Sequence, residues 1–354
     1  MSKITICLLF GGRSAEHEVS ITSARSIYAN LNPDKFEIIS VYIDKSGIWR
    51  IVESPQLPLD TLIAGEFLSF LPWANTSSVP RIEADIYFPI LHGPYGEDGT
   101  IQGFFELADV PYVGATVLAS SIGMDKVVSK SLFRQWNLPV VNYSILWESE
   151  WRGDTKTHLA KIPIAFNLPL FVKPTNLGSS VGISRVTDVQ QLESAIEGAF
   201  QFDRKILIEE GILGRELECS VLGNDNPKAS LPGEIIPFNE FYDYQDKYID
   251  GKTSFVIPAE LPPEIVREIQ RISLDAFKSI GGSGMARVDF FLQDQTNKVY
   301  LNEINTIPGF TEISMYPKLW EVSGLPYSQL LEELVSLGFE RHTTKKKGEE
   351  KFSP

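Results

Sequence analysis

Residues 4–10 (ITICLLF) form an unbroken apolar run that stops at Gly11-Gly12, and a second run, FEIISVYI, follows at 36–43. Residues 20–31 between them carry helical spacing, so the chain is expected to open as strand, glycine-rich turn, helix, strand. A polar, proline-containing stretch then reaches to about residue 80. Beyond it ADIYFPIL (84–91) reads as a near-continuous apolar strand, the pattern of a parallel strand covered on both faces. The turns GGRSAEHE and LHGPYGEDGT follow the carboxyl ends of such strands, where open parallel sheets carry ligands. This first unit is expected to span 1–114.

From 125 to 136, Val127, Val128, Leu132, Phe133 and Trp136 give an approximate helical stripe, ended by Asn137 and Pro139. LPLFVKP, the loop TNLGSSVG, the run ISRV, a helix over 189–199 and the strand KILIEE predict a small mixed unit, assigned to 115–210. The last unit, 211–341, carries GRELECSVLG, a charged aromatic loop FYDYQDKYIDGK and a helix over 263–280. Ile265, Ile269, Ile272, Ala276 and Phe277 lie on one side of that helix, and Gly281-Gly282 stops it. ARVDFFL and KVYLNEIN then predict a hairpin across DQTN, and a last helix is expected over 327–337. The lysine- and glutamate-rich end, 342–354, is expected to be a disordered tail. The fold class is therefore α/β, a parallel-sheet unit followed by two α+β units.

Composition narrows the function. A chain of 354 residues exceeds one ordinary core, and 43% apolar with 22% charged residues is globular usage. The net charge of −14 repels nucleic acid, although local cations and backbone N–H groups still permit a nucleotide substrate. Cys7 and Cys219 stand apart without a CxxC spacing, which argues against disulfides or zinc and for a reducing compartment. No apolar run approaches the ~18 residues of a membrane helix, so a cytoplasmic protein with no membrane partner is expected.

Chemistry concentrates in a few places. In Arg287-Val288-Asp289 and Glu303-Ile304-Asn305 the polar residues alternate with apolar ones and share a strand face. Paired, they place Asp289, Glu303 and Asn305 together as hard oxygen donors beside a guanidinium, suited to magnesium held with phosphates; a merely solvated strand face is the other reading. Lys173 precedes a loop with Asn176, Gly178, Ser179, Ser180 and Gly182 that can wrap phosphate or simply turn a hairpin. Neither a Walker A sequence nor GxGxxG occurs, so the nucleotide grip is of another kind. The segment GSSVG also matches the nucleophile elbow of serine hydrolases. Its strand-like sequel, and only His342 downstream, argue against that use. Glu16 suits an ammonium or helix capping, Glu18 capping alone. His92 suits a substrate contact or a backbone carbonyl.

Taken in order, SAEHEVS, LHGPYGEDGT, MDK, VKPTNLGSSVG, YDYQDKY, ARVDF and NEINTIPGFT closely resemble D-alanine:D-alanine ligases. The resemblance implies an ATP-grasp fold that clamps ATP between the central and C-terminal units. The implied reaction joins two D-alanines through D-alanyl phosphate, for peptidoglycan synthesis; D-alanine:D-lactate and D-alanine:D-serine ligases are the alternatives. It assigns Lys126, Lys173 and Ser180 to ATP phosphates, Glu209, Glu210 and Ile212 to the adenine edge, Glu216 to the ribose and Lys247 to the γ-phosphate. Asp289, Glu303 and Asn305 are implied to hold two Mg2+ or Mn2+ ions. Glu16 is implied to bind the first D-alanine's ammonium and to join Ser179 and Tyr248 in a loop-fastening triad, with His92 nearby. Arg287 and the Gly309 N–H fall on oxyanion positions, and Ser314 and Met315 on the second substrate's carboxylate. Depsipeptide-forming relatives carry phenylalanine where Tyr248 stands, so the tyrosine favours D-alanine. Gly211 departs from relatives with a bulky aromatic beside the adenine. A homodimer is the family expectation.

Overall fold

The structure is a computed structural model and describes residues 2–68, 82–179, 181–236 and 254–350. The first unit is a five-stranded sheet of β1 (Ile4–Gly11), β2 (Phe36–Ile43), β3 (Trp49–Val52), β4 (Glu66–Leu68) and β5 (Ile86–Pro89), ordered β4-β3-β2-β1-β5. Strand β1 pairs in parallel with β2 and β5, as its apolar runs require, while β3 and β4 add an antiparallel edge. Alternation along β1 decides what each face meets. Ile6, Leu8 and Phe10 join the core under helix α1 (His17–Asn30), whereas Cys7 and Leu9 pack with Ile101 and Phe105 of helix α3 (Thr100–Leu107). The edge pieces β3 and β4 and helix α2 (Leu59–Ile63) lie in the stretch read as irregular; each is too short to show a period.

Helices α4 (Val117–Met124) and α5 (Lys126–Gln135) follow, α5 capped by Asp125 Oδ1, which accepts from the N–H groups of Val127 and Val128. The central sheet has the order β6-β9-β7-β8, from β6 (Tyr143–Trp147), β7 (Leu170–Pro174), β8 (Ser184–Val186) and β9 (Lys205–Glu210). Helices α6 (Glu148–Gly153), α7 (Thr155–Ala165) and α8 (Leu192–Ala199) cover it, and its core runs from Leu146 to Ile208. The third sheet has β10 (Gly214–Gly223), β11 (Lys228–Ala229), β12 (Gly233–Ile236), β13 (Ser254–Val256), β14 (Gly284–Gln293) and β15 (Val299–Asn305), covered by α9 (Pro263–Ser279). All five residues of the expected α9 stripe are buried there.

Two expectations on domain extent differ from the structure. The central unit was expected from 115, but Ala115, Ala119 and Phe133 join the third sheet's core, so α4 and α5 belong to that packing. Of the expected disordered tail, 342–350 is instead helical: after α10 (Met315–Val322), helix α11 spans Tyr327–Glu350. Leu330, Leu331 and Leu334 of α11 enter the first unit's core, and Arg341 donates to the carbonyls of Gly114 and Tyr112. Lys345 and Lys346 meet Glu106 at 2.5 Å and Asp109 at 3.2 Å, so the basic run read as solvated finds acidic partners. Among the described residues no helix is long and apolar enough to cross a membrane.

Candidate active site

On the β14–β15 hairpin Arg287 stands opposite Asn305 and Asp289 opposite Glu303. All four occupy one face, while Val288 and Ile304 enter the core. Arg287 forks onto Asp289, with Nε to Oδ1 and a terminal nitrogen to Oδ2 both at 2.7 Å, and Nε also lies 3.1 Å from Glu218 of β10. Burial opposes the charged guanidinium, but Asp289 and Glu218 outweigh it and raise its pKa well above the usual value. Asn305 Nδ2 donates to Asp289 Oδ2 at 3.0 Å. Lys126, in the first turn of α5, brings Nζ to 3.3 Å from Glu303 and donates to Leu177 O at 2.8 Å.

A second charged group lies under the central sheet. Glu209 on β9 takes Lys130 Nζ at 3.3 Å and Lys173 Nζ at 3.5 Å. Burial would raise the Glu209 pKa, yet the two ammoniums bring it below the ordinary range, so the carboxylate is ionised. Lys130, buried outright, has its own pKa lowered by desolvation.

Between the two sheets lies a cleft of about 380 Å³, within the range of small-molecule sites. Lys126, Lys173, Glu210, Ile212, Glu216, Asp289, Glu303 and Asn305 all line it. Glu209 does not, its side chain lying against Lys130 and Lys173. Pro169 and Phe171 explain the Gly211 departure. A Cβ on Gly211 would come within 2.9 Å of Pro169 and 3.0 Å of Phe171, so these residues already fill that wall.

A cavity of about 60 Å³ adjoins the cleft, sharing Glu97, Ser179, Glu303 and Asn305 with it and adding Glu16, His92, Arg287 and Gly309. Glu16 sits at the N-cap position of α1 but makes no capping bond. It receives instead a short hydrogen bond from Ser179 Oγ across the unit boundary. Gly178 and Gly93 admit it, since a Cβ on either would lie 2.8 or 2.7 Å from Glu16 Oε2. Glu18, by contrast, is an exposed acid of the first turn paired with Lys45 at 3.0 Å. His92 is buried, with Nδ1 3.1 Å from Ile307 O and Nε2 3.0 Å from Ser23 Oγ, so the backbone-carbonyl reading describes its contacts.

Ser314 and Met315 are absent from the lining of both cavities. Ser314 Oγ accepts from Thr311 N–H at 2.9 Å and stands 2.7 Å from where a Gly309 Cβ would be, while Met315 is buried toward Gly233. Ser180, Lys247 and Tyr248 lie outside the described residues. The loop GSSVG joins antiparallel strands β7 and β8, not a strand to a helix, which removes the nucleophile-elbow context. Sequence reasoning missed Lys130, Glu218 and Glu97. Lys130 was findable, one helical turn after Lys126, and Glu218 shares its strand face with Glu216. Glu97 carries no such periodic mark.

Two α/β units closing on a cleft, with Lys173 from one and Lys126 and an acidic hairpin from the other, define an ATP-grasp enzyme. The family description "D-ala D-ala ligase N-terminus" matches residues 5–115 and "D-ala D-ala ligase C-terminus" matches 132–336. A D-alanine--D-alanine ligase of Bacillus cytotoxicus is 48% identical, covering 98% of this chain and 99% of its own. Among solved structures, the D-alanine-D-alanine ligase from Coxiella burnetii is 40% identical with a TM-score of 0.85, covering 98% of both chains. A D-Ala:D-Ser ligase from Enterococcus faecalis is 35% identical with a TM-score of 0.83, over 95% of this chain and 100% of that one. The chain belongs to the D-alanine–D-alanine ligase family.

Proposed function

We propose that the chain joins two D-alanines into D-alanyl-D-alanine with conversion of ATP to ADP and phosphate, and that the residues grouped above divide the work as follows. The observation that carries this reading is the Arg287, Asp289, Glu303 and Asn305 face, lying where the nucleotide-sized cleft meets the small cavity that holds Glu16. Lys126 and Lys173 bind ATP phosphates, Glu210 and Ile212 offer backbone groups to adenine, and Glu216 meets the ribose. Asp289, Glu303 and Asn305 present two carboxylates and an amide oxygen on adjacent register positions. Among the described residues no closed cage of His, Cys, Asp or Glu exists, and an open oxygen set suits ions that complete their shells with phosphate oxygens. Two Mg2+ or Mn2+ ions held there would offset charge on the transferring phosphoryl group.

In the first step the carboxylate of one D-alanine, its ammonium on Glu16, attacks the γ-phosphorus; the bond to ADP breaks and D-alanyl phosphate forms. In the second, the amine of another D-alanine, having lost a proton, attacks the acyl carbon. Arg287 and the Gly309 N–H stabilise the tetrahedral oxyanion, and phosphate leaves. The resemblance gives Lys247 to the γ-phosphate and Tyr248 to the triad with Glu16 and Ser179, and exclusion of water protects the acyl phosphate. The enzyme serves cell-wall precursor synthesis and works as a homodimer.

The test is product analysis by mass spectrometry with ATP, magnesium and D-alanine, with D-serine and D-lactate as competing acceptors at neutral pH. D-alanyl-D-alanine, with one phosphate released per dipeptide, is the expected product. The D-Ala:D-Ser neighbour makes the serine arm informative, and preferential D-lactate ester formation would contradict the Tyr248 argument.

A further inference from the structure

The turn that leaves β15 carries Gly309 to the rim of the small cavity, and its backbone is held from outside the third sheet. Ile307 N–H donates to Glu97 Oε1 at 3.2 Å, Ile307 O faces His92 Nδ1 at 3.1 Å, and Phe310 N–H donates to Ser23 Oγ at 3.2 Å. Ser23 lies on α1, and His92 and Glu97 follow β5, so these three holding groups come from the first unit, beside Tyr327 of α11, whose hydroxyl donates to Phe310 O at 3.0 Å. Pro308 has no N–H. Among the described residues the Gly309 N–H has no acceptor, which leaves it as the unspent donor of this turn.

The holding groups are themselves fixed. Glu97 Oε2 accepts from Gly93 N–H at 2.7 Å, and Ser23 Oγ lies 3.0 Å from His92 Nε2. With Nδ1–H given to the Ile307 carbonyl, Nε2 carries the lone pair and accepts the Ser23 hydroxyl proton; Ser23 then keeps a lone pair for Phe310 N–H. Burial lowers the His92 pKa and keeps the ring neutral, as this chain of bonds requires. Both ring nitrogens are thus committed to the protein, and none is left for a substrate.

We infer that Ser23, His92 and Glu97 are positioning residues through which the first unit fixes the Gly309 N–H for the acyl-transfer step. The inference rests on the reading of Gly309 as an oxyanion donor. Charge develops on phosphoryl oxygens in the first step, where Lys126 and Lys173 act, and on the acyl oxygen only in the second. An oxyanion donor acts at hydrogen-bond distance from that oxygen, and losing one costs about 10²–10³ in rate. Freeing the turn therefore slows the second step and spares the first.

Ser23→Ala and Glu97→Gln each remove one attachment. The first step is read by scrambling of oxygen label between the β,γ-bridge and non-bridge positions of ATP: the γ-phosphoryl moves to the D-alanine carboxylate, the freed β-phosphate rotates, and the phosphoryl returns. The second step is read by dipeptide formation. Expected for both variants is dipeptide formation slowed by about tenfold or more, with scrambling maintained or raised because the acyl phosphate reverts more often, and the KM for ATP unchanged. Equal loss in both readouts, or no loss in either, overturns the inference. A wild-type chain that makes no dipeptide would instead overturn the ligase reading beneath it.

Discussion

Replacing Arg287 by methionine keeps the length of the side chain's apolar part and removes the charge. In the folded protein that charge lies 2.7 Å from Asp289 and 3.1 Å from Glu218, with less than a fifth of the arginine side chain exposed. At an effective dielectric of about 20, unit charges ~4 Å apart interact by ~4 kcal/mol, so loss of the cation leaves two carboxylates facing each other without compensation. Removing one partner of such a buried pair costs about 3–5 kcal/mol. A divalent cation at Asp289 supplies part of the missing charge, so magnesium should raise the variant's melting temperature more than the wild type's. Catalysis has no such substitute. With the oxyanion partner gone, kcat at saturating ATP and D-alanine should fall by about 10²–10³. Arg287→Lys should fall between, because an ammonium keeps the charge and loses the fork. Thermal melts with and without magnesium, and steady-state phosphate release, measure the two effects separately. A folded Arg287→Met chain that keeps wild-type kcat would refute the reasoning.

Phe171→Ala should raise the KM for ATP by about ten- to a hundredfold with little change in kcat, since an aromatic wall contributes about 1.5–3 kcal/mol of apolar contact; titration with ATP measures it, and an unchanged KM removes Phe171 from the adenine wall. Glu97 gives a pH effect. Burial and then the nearby Glu16 carboxylate push its pKa from 4.5 up to about 8, against the pull of the Gly93 and Ile307 N–H groups and Arg287. The folded chain therefore binds this proton more tightly than the unfolded one, and stability is lost as pH rises from 4.5 to about 8. A D-alanine ammonium held by Glu16 beside Glu97 favours the ionised form, so binding at neutral pH should release a proton. Calorimetry in buffers of different ionisation enthalpy reads that release, and Glu97→Gln should abolish it.

What the sequence made legible follows from periodicity. Alternation in RVD and NEIN placed the four polar residues of the hairpin on one face, and the Asp289–Glu303 register confirms it directly. The α9 stripe was readable for the same reason. Long-range partners had no such signal. Nothing local to Glu97 says that it accepts from Ile307, a residue of the third unit, and nothing local to Arg341 says that it caps the carbonyls of Tyr112 and Gly114. The lysine-rich end read as solvated because its acids, Glu106 and Asp109, lie on and just after α3. Glu16 shows the same limit in its residue type, which fits an ammonium or capping alike; its link to Ser179 was legible only through the resemblance.

The net charge of −14 gains a specific meaning at the site. Among the described residues Lys126 and Lys173 of the cleft and Arg287 of the adjoining cavity each face an acid: Lys126 has Glu303, Lys173 has Glu209, and Arg287 has Asp289 and Glu218. Glu16 and Glu97 add carboxylates next door. A bare triphosphate entering this cleft would have to compete with carboxylates for Lys126, Lys173 and Arg287, at a cost that grows as water is excluded. Nucleotide bound together with divalent cations would avoid that competition, because ions held by Asp289, Glu303 and Asn305 would leave Lys126 and Arg287 to turn toward substrate oxygens. The pairs of Lys126 with Glu303 and of Arg287 with Asp289 thus point these cations along the hairpin face, where an arriving charge can replace their partners.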